Sequence, residues 1–142
     1  MREIKFRGLT AKGLMVYGDL INDREGSTNY WKEYSQRICW LPESGGCANA
    51  PVKNGTVGQF TGLLDKNGAE IYEGDIVKTT SLFNDCNQKG AIDYFTVISF
   101  MGNYCLARRG GTTGFPIYPT CLKSSIEVIG NIYEHKFLID NN

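Results

Sequence analysis

The stretch VGQFTGLLDKNGAEIYEGDIVK, residues Val57 to Lys78, decides the fold of this chain. Its first part is apolar and rich in β-prone residues, which favour a strand. The DKNG sequence at 65–68 then predicts a tight turn, because the Asp65 side chain can accept from backbone N–H groups ahead of it and Gly68 tolerates positive φ. The chain runs back through AEIYEGDIVK, where Gly74 indicates a bulge or a second turn.

Strand signals continue on the N-terminal side of this block. Residues Arg2 to Arg7 alternate, with Ile4 and Phe6 on the inner face and Glu3, Lys5 and Arg7 on the solvent face, as in a half-buried strand. A turn at 11–13 leads into the apolar run Leu14 to Ile21, so the chain opens with a predicted hairpin.

On the C-terminal side, Tyr94 to Phe100 is the most β-prone run of the chain. A turn at 101–103 predicts a hairpin into the next strand. Ser125 to Glu134 is a closing strand whose alternation is broken by Gly130. Residues 135–142 fit a short helix or a loose tail.

The pattern is lost between Asn22 and Asn54. Four aromatic and apolar residues there fit one helical face or irregular strands equally well: Tyr30, Trp31, Tyr34 and Ile38. Turn-forming residues from Pro42 to Gly55 predict a long connection. Since long structureless loops are uncommon inside compact domains, this one is expected to be functional or mobile.

Composition indicates one β-rich domain over residues 1–142. A chain of 142 residues buries roughly 68% of its unfolded surface, enough for a core without cross-links. Seventeen Gly, eight Tyr and seven Phe favour short strands and tight turns over helices. The expected fold is mainly β, a compact mixed or antiparallel sheet or a barrel-like domain with little helix.

Charge and hydropathy narrow the function classes. Fifteen basic residues match fifteen acidic ones, so the formal net charge is zero, whereas nucleic-acid binders usually carry excess positive charge. Zero net charge also removes repulsion between copies of the chain. The N-terminus is not a signal peptide, and no apolar stretch approaches the roughly 20 residues that span a bilayer. A cytoplasmic protein that does not bind membranes is expected.

The cysteines predict neither a metal site nor a cofactor site. Five are present, and no two form a C-x-x-C pair: Cys39, Cys47, Cys86, Cys105 and Cys121. In a reducing cytosol they are expected to be free thiols that behave as small apolar residues, with a redox or metal role as the alternative.

Four segments together resemble the YopX family, in the family's order and spacing: MREIKFRG at the start, MVYGDLI at 15–21, the central block, and EVIGNIYE at 127–134. The resemblance implies a protein of phages or prophages in a bacterial host, with a mostly β fold and no established molecular function. Residues 22–56 and 79–123 carry no family signature. GDIVK and the β runs after it also resemble the strand pattern of SH3-like barrels.

Glu70, Glu73 and Asp75 are the first candidate site, because clustered carboxylates bind metals or share acid and base roles. The alternative is that they are solvated turn residues that protect an edge strand. His135, the one histidine, lies near the C-terminus and is expected to be exposed and without function. A Cys–His135 pair remains conceivable, but no catalytic motif is present.

Arg108 and Arg109 follow an aromatic-rich strand, a combination that can stack on and clamp single-stranded nucleic acid. The alternative is an edge strand protected by charge. Tyr30 and Trp31 are of the residue types that dominate interface hot spots. The favoured interpretation is that they complete the core.

Three functions remain open at this stage. The favoured one is a non-enzymatic phage accessory protein, a β module that forms a homo-oligomer or binds a phage or host protein. The second is a nucleic-acid-binding module that uses Arg108 and Arg109. The third is a small enzyme that uses the acidic cluster or a Cys–His135 pair.

Overall fold

The computed structural model describes residues 3–22, 34–80, 92–108, 111, 114–117 and 126–140. Of these, 57% lie in strands and 4% in helix, which confirms the mainly β prediction with little helix. The chain divides into two compact units, Met1–Phe60 and Thr61–Asn142. One domain over residues 1–142 stays a prediction.

The first unit is built from antiparallel strands. They are β1 (Phe6–Leu9), β2 (Met15–Asn22), β3 (Gln36–Trp40), β4 (Ala48–Val52) and the beginning of β5 (Gly58–Leu64). The second unit contains the rest of β5 and the other elements, which are β6 (Glu70–Tyr72), β7 (Asp75–Thr80), β8 (Ile92–Phe100), β9 (Asn103–Ala107), β10 (Phe115–Pro116), β11 (Ile126–Asn131) and the short helix α1 (Phe137–Asp140).

The strands pair in two antiparallel sheets. One has the order β4-β3-β2-β1-β5-β6 and the other the order β10-β9-β8-β7-β11. Neither closes into a barrel, so of the alternatives the sequence left open, the antiparallel sheet is present and the SH3-like barrel is not.

The opening hairpin is confirmed, but its buried face differs from the predicted one. The first strand begins only at Phe6 and pairs with β2 from Phe6↔Gly18 to Leu9↔Met15. Ile4, placed by alternation on the inner face, lies before the strand and is 65% exposed. Arg7, placed on the solvent face, is buried at 5% exposure. Alternation gives the period of a strand but does not determine which face is buried.

A strand lies where the sequence predicted a long connection. β4 pairs with β3 over five residue pairs, from Gln36↔Val52 to Trp40↔Ala48. Val52 is fully buried and packs at Gly8, where an added Cβ would come within 2.8 Å of it. Pairing with β3 and packing against Gly8, which is distant in sequence, therefore outweigh the turn-forming composition of this segment.

The core of the second unit forms on one face of its five-stranded sheet. Directly opposite residues of antiparallel strands share a face, and Val77, Phe95 and Val128 lie opposite one another across β8, β7 and β11. The cluster of buried residues consists of Val77, Phe95, Val97, Leu106 and Ile126 from this sheet, together with Ile71 of β6.

The predicted DKNG turn is confirmed, and its Asp65 has two functions. One carboxylate oxygen, Oδ1, accepts from the backbone N–H groups of Asn67 at 2.8 Å and Ala69 at 2.9 Å. The other, Oδ2, accepts from the N–H of Val128 in β11 at 3.0 Å. Gly68 takes the required positive φ of 83°. The turn is thus closed internally and attached to the last strand.

Replacing Asp65 with Ala is expected to lower the free energy of unfolding by about 3 kcal/mol, because three backbone donors lose a charged acceptor at a buried position. Denaturant-induced unfolding followed by circular dichroism measures this. Asp140→Ala removes an exposed carboxylate of the same unit and is expected to change stability by less than about 0.5 kcal/mol. A loss below about 1 kcal/mol for Asp65→Ala would mean that these bonds do not stabilise the turn.

Candidate functional site

The acidic cluster of the central block is engaged in a turn. Tyr72 donates to both flanking acids, with its backbone N–H to Asp75 Oδ2 and its hydroxyl to Glu70 Oε2, each at 2.7 Å. Asp75 is 1% exposed, and Glu73 lies in the turn between β6 and β7. No group of three His, Cys, Asp or Glu side chains that could hold a metal occurs among the described residues.

Gly74 explains why this turn is so tightly held. Its φ is 84°, its N–H donates to the Val97 carbonyl at 2.8 Å, and its own carbonyl accepts from the Ile132 N–H at 2.9 Å. A Cβ at this position would come within 3.0 Å of the Tyr133 ring. The second turn predicted at Gly74 is thus present, and it is a closely packed junction of strands.

Arg108 is paired with a carboxylate. Its guanidinium lies 3.2 Å from Asp93 Oδ2 and 5.5 Å above the centre of the Phe95 ring. Both members of the ion pair are largely exposed, with 61% and 48% of their side-chain surface accessible. Arg109, Tyr30 and Trp31, the other proposed binding residues, lie outside the described residues.

His135 is half-buried, and the expectation of an exposed histidine is wrong. Its ring covers Gly130, where an added Cβ would come within 2.9 Å. Its Nδ1 accepts from the Asn131 N–H at 3.4 Å, and the ring packs edge-on against Phe137 with centroids 6.2 Å apart. A backbone amide and a phenyl ring are the partners of this histidine, and neither supplies a nucleophile.

Two cysteines of the first unit lie in contact. Cys39 in β3 and Cys47, one residue before β4, have their Sγ atoms 2.6 Å apart. Cys47 is exposed and Cys39 is half-buried. The hydrogen bond with Cys47 raises the pKa of the Cys39 thiol, and burial and the neighbouring charges of Cys47 and Asp19 raise it further.

The remaining cysteines divide into two groups. Cys105 lies buried in β9 as a free thiol, which fits the expectation of a small apolar residue. Cys86 and Cys121 lie outside the described residues. Among the cysteines that the structure describes, Cys39 and Cys47 are therefore the two that solvent can reach.

One face of the β2–β3–β4 sheet is exposed and chemically mixed. This outer face comprises Tyr17, Asp19, Ile21, Arg37, Cys39 and Asn49, which alternate along their strands and lie opposite or diagonal to one another across them. Tyr17 and Ile21 keep 44% and 42% of their surface exposed. Arg37 Nη1 donates to Asn49 Oδ1 at 2.8 Å across the two strands.

The opposite face of the same strands is apolar and closed. Ile38 lies between Leu20 and Ala50 in the pairing and is fully buried, as is Val52. The sheet therefore has one core face and one solvent face, an arrangement common in antiparallel sheets.

The comparison with known protein families decides the identity. The family described as "YopX protein" matches residues 5–140, nearly the whole chain. The chain belongs to the YopX family. Protein EF1440 from Enterococcus faecalis, known from a crystal structure, is similar at 17% sequence identity and a TM-score of 0.55, over 98% of this chain and 99% of that one. At this identity the likeness concerns the fold. No curated protein matches.

The YopX match extends well beyond the four segments recognised in the sequence and includes β3, β4 and the thiol pair. Sequence reasoning missed this pair, because Cys39 and Cys47 are not in a C-x-x-C spacing. The available signal was the turn-rich segment LPESGG at 41–46, which Cys39 precedes by two residues and Cys47 directly follows. Within the described residues, no helix is long and apolar enough to cross a membrane.

Asp75→Asn is expected to lower the free energy of unfolding by about 1 to 3 kcal/mol, because the charged acceptor of the Tyr72 N–H is replaced at a buried position. Glu43→Gln removes the same charge from an exposed turn and is expected to have almost no effect. Thermal unfolding with and without millimolar Mg²⁺ or Ca²⁺ measures both variants. A metal-dependent rise in wild-type stability that Asp75→Asn abolishes would instead identify the cluster as a cation site.

Proposed function

We propose that this YopX-family chain is a non-enzymatic accessory protein of a phage or prophage, a β module that associates with a second copy of itself or with a protein partner. The observation that carries the proposal is the outer face, where Tyr17 and Ile21 are exposed beside Arg37 on a sheet whose other face is closed. Family membership supplies the context but no reaction.

Candidate catalytic side chains proposed from the sequence accept hydrogen bonds within the fold. The carboxylates of Glu70 and Asp75 accept from Tyr72, and His135 Nδ1 accepts from a backbone amide. A catalytic acid, base or nucleophile must reach a substrate atom. These three groups instead contact their own chain, which favours binding over catalysis.

The outer face has the composition of a protein interface. Tyr and Arg are enriched at interfaces and at their energetic hot spots, whereas Lys and Glu are depleted. This face carries one tyrosine, one isoleucine and one arginine, and the arginine donates a hydrogen bond to Asn49. Asp19 is the acidic residue of the face. Zero net charge of the chain favours close approach of a second copy.

Docking on the face is also favoured over pairing at the sheet edge. β4 is the edge strand next to β3, and it contains Pro51. Proline has no N–H to donate to an added strand, so it blocks part of the hydrogen bonding that strand addition requires. A partner of this sheet is therefore expected to contact side chains of the outer face.

The nucleic-acid alternative has weaker support. Arg108 lies above Phe95, but that ring is buried and presents no face to a base, and Asp93 pairs with the same guanidinium. An acidic partner opposes phosphate binding, because it already pairs with the guanidinium and repels the phosphates of a nucleic acid.

The double variant Tyr17→Ala/Ile21→Lys is expected to weaken self-association at least about tenfold, because truncating an interface hot spot costs on the order of 2 kcal/mol. Sedimentation velocity over a range of protein concentrations measures the dissociation constant. Met101→Lys is the matched control, since Met101 is 85% exposed in a hairpin turn of the other unit, and it is expected to associate like wild type.

A wild-type chain that stays monomeric at all concentrations would contradict self-association through this face. Filter binding in low salt then separates the alternatives. Affinity for single-stranded DNA or RNA that falls on Arg108→Ala would support the nucleic-acid module instead.

A further inference from the structure

The cysteine pair of the first unit has a geometry that the proposed binding function does not use. Cys39 lies opposite Asn49 in the β3–β4 pairing, so Cys47, two residues before Asn49, is its diagonal neighbour on the outer face. The Sγ atoms are 2.6 Å apart. Little movement separates this contact from the bond of about 2.05 Å in a disulfide.

The loop between the two cysteines brings them together. Gly45 and Gly46 both have positive φ, 86° and 85°, and the Gly45 N–H donates to the Pro42 carbonyl at 2.9 Å. Consecutive left-handed residues are accessible to glycine at no steric cost. They turn the chain within six residues, 41–46, so that Cys47 returns to β3.

We propose that Cys39 and Cys47 are a thiol-oxidation site that forms a reversible intramolecular disulfide with a low-molecular-weight disulfide, such as glutathione disulfide, as oxidant. This inference is independent of the proposed binding function. The disulfide closes residues 39–47 into a covalent ring at the edge of the outer face, and reduction by thiols reopens it.

The exposed thiol reacts first. Cys47 Sγ, as thiolate, attacks one sulfur of the glutathione disulfide, forms a mixed disulfide and releases one glutathione thiolate. Cys39 Sγ then loses its proton to solvent and attacks the Cys47 sulfur, which forms the Cys39–Cys47 bond, breaks the bond to glutathione and releases the second glutathione thiolate. The protein loses two electrons and two protons, and glutathione disulfide gains them as two glutathione molecules.

The two side chains are suited to this order of events. Cys47 is exposed and meets the oxidant, whereas Cys39 is half-buried. The hydrogen bond with Cys47, followed by burial, raises the pKa of the Cys39 thiol, which makes Cys39 the poorer first nucleophile because the thiolate is the reactive form. Cys105 lies buried in β9 and is inaccessible to the oxidant.

The test uses the full chain with Cys86→Ser and Cys121→Ser, so that Cys39, Cys47 and Cys105 are the remaining thiols. The folded protein is equilibrated with glutathione buffers of increasing disulfide fraction, quenched with acid and alkylated. Mass spectrometry of the intact chain and of its peptides is expected to show loss of two hydrogen atoms and a Cys39–Cys47 cross-linked peptide. Dithiothreitol is expected to reverse both changes.

Single variants separate a paired site from two independent thiols. With Cys39→Ser, Cys47 is expected to retain one glutathione as a mixed disulfide, because the resolving thiol is missing. With Cys47→Ser, oxidation at Cys39 is expected to fall to background. Cys105→Ser is the control and is expected to form the cross-link like the parent chain. Closing the short ring is expected to raise the melting temperature of the parent by about 5 to 10 °C.

A folded parent chain, verified by circular dichroism, that carries glutathione on Cys47 but never the Cys39–Cys47 cross-link would overturn the proposal. So would cross-links to Cys105 that are as abundant as those between Cys39 and Cys47. Both results are measured on the parent chain alone, so they can be interpreted even if one of the single serine variants fails to fold.

Discussion

The bond between Asp65 and Val128 is the constraint on which the second unit depends. The two residues are 63 positions apart, and the same carboxylate closes the turn that precedes β6. One buried group thus fixes a local turn and its attachment to the last strand. Lys66 adds to this junction, since its N–H donates to the Ile126 carbonyl at 3.0 Å and its side chain pairs with Glu127, which lowers the pKa of that carboxyl.

This use of acidic residues accounts for the absence of a recognisable reaction in the central block. Asp65 and Asp75 are both buried, and a buried carboxylate is tolerated when backbone N–H groups satisfy it. Their hydrogen bonds go to the chain itself, so the block specifies strands and corners. Among the described residues, the outer face and the thiol pair have accessible chemistry, and they lie on β2, β3, β4 and the loop before β4 in the first unit.

Local chemistry was predictable from the sequence, and non-local pairing was not. The DKNG turn, the Gly74 corner and the Met101–Gly102 hairpin turn are encoded by residues that touch each other within a few positions. Gly130 was recognised as a break in alternation, and it lies at a register shift between β11 and β7. β4 was missed, because its stability comes from β3 and Gly8 and its own composition is that of a loop.

The candidate site was less predictable than the fold for the same reason. Cys39 and Cys47 meet only because β4 exists and pairs in one register with β3. Arg7 is buried and Ile4 is exposed, although their order in the strand pattern suggests the reverse. Residue types and spacing predicted the acidic cluster and Arg108 as candidate sites. The structure adds that Tyr72 donates a hydrogen bond to Asp75 and that Arg108 forms an ion pair with Asp93.

Amide hydrogen exchange at Val128 and Tyr72, followed by NMR in the native protein, tests most directly whether the two buried aspartates serve the fold. If they do, both N–H groups exchange only through global unfolding, with protection equal to that of the core amides of Val77 and Val97. Exchange at Val128 and Tyr72 as fast as in the exposed turn at Met101 would contradict this account, because the carboxylates would then be available for other chemistry.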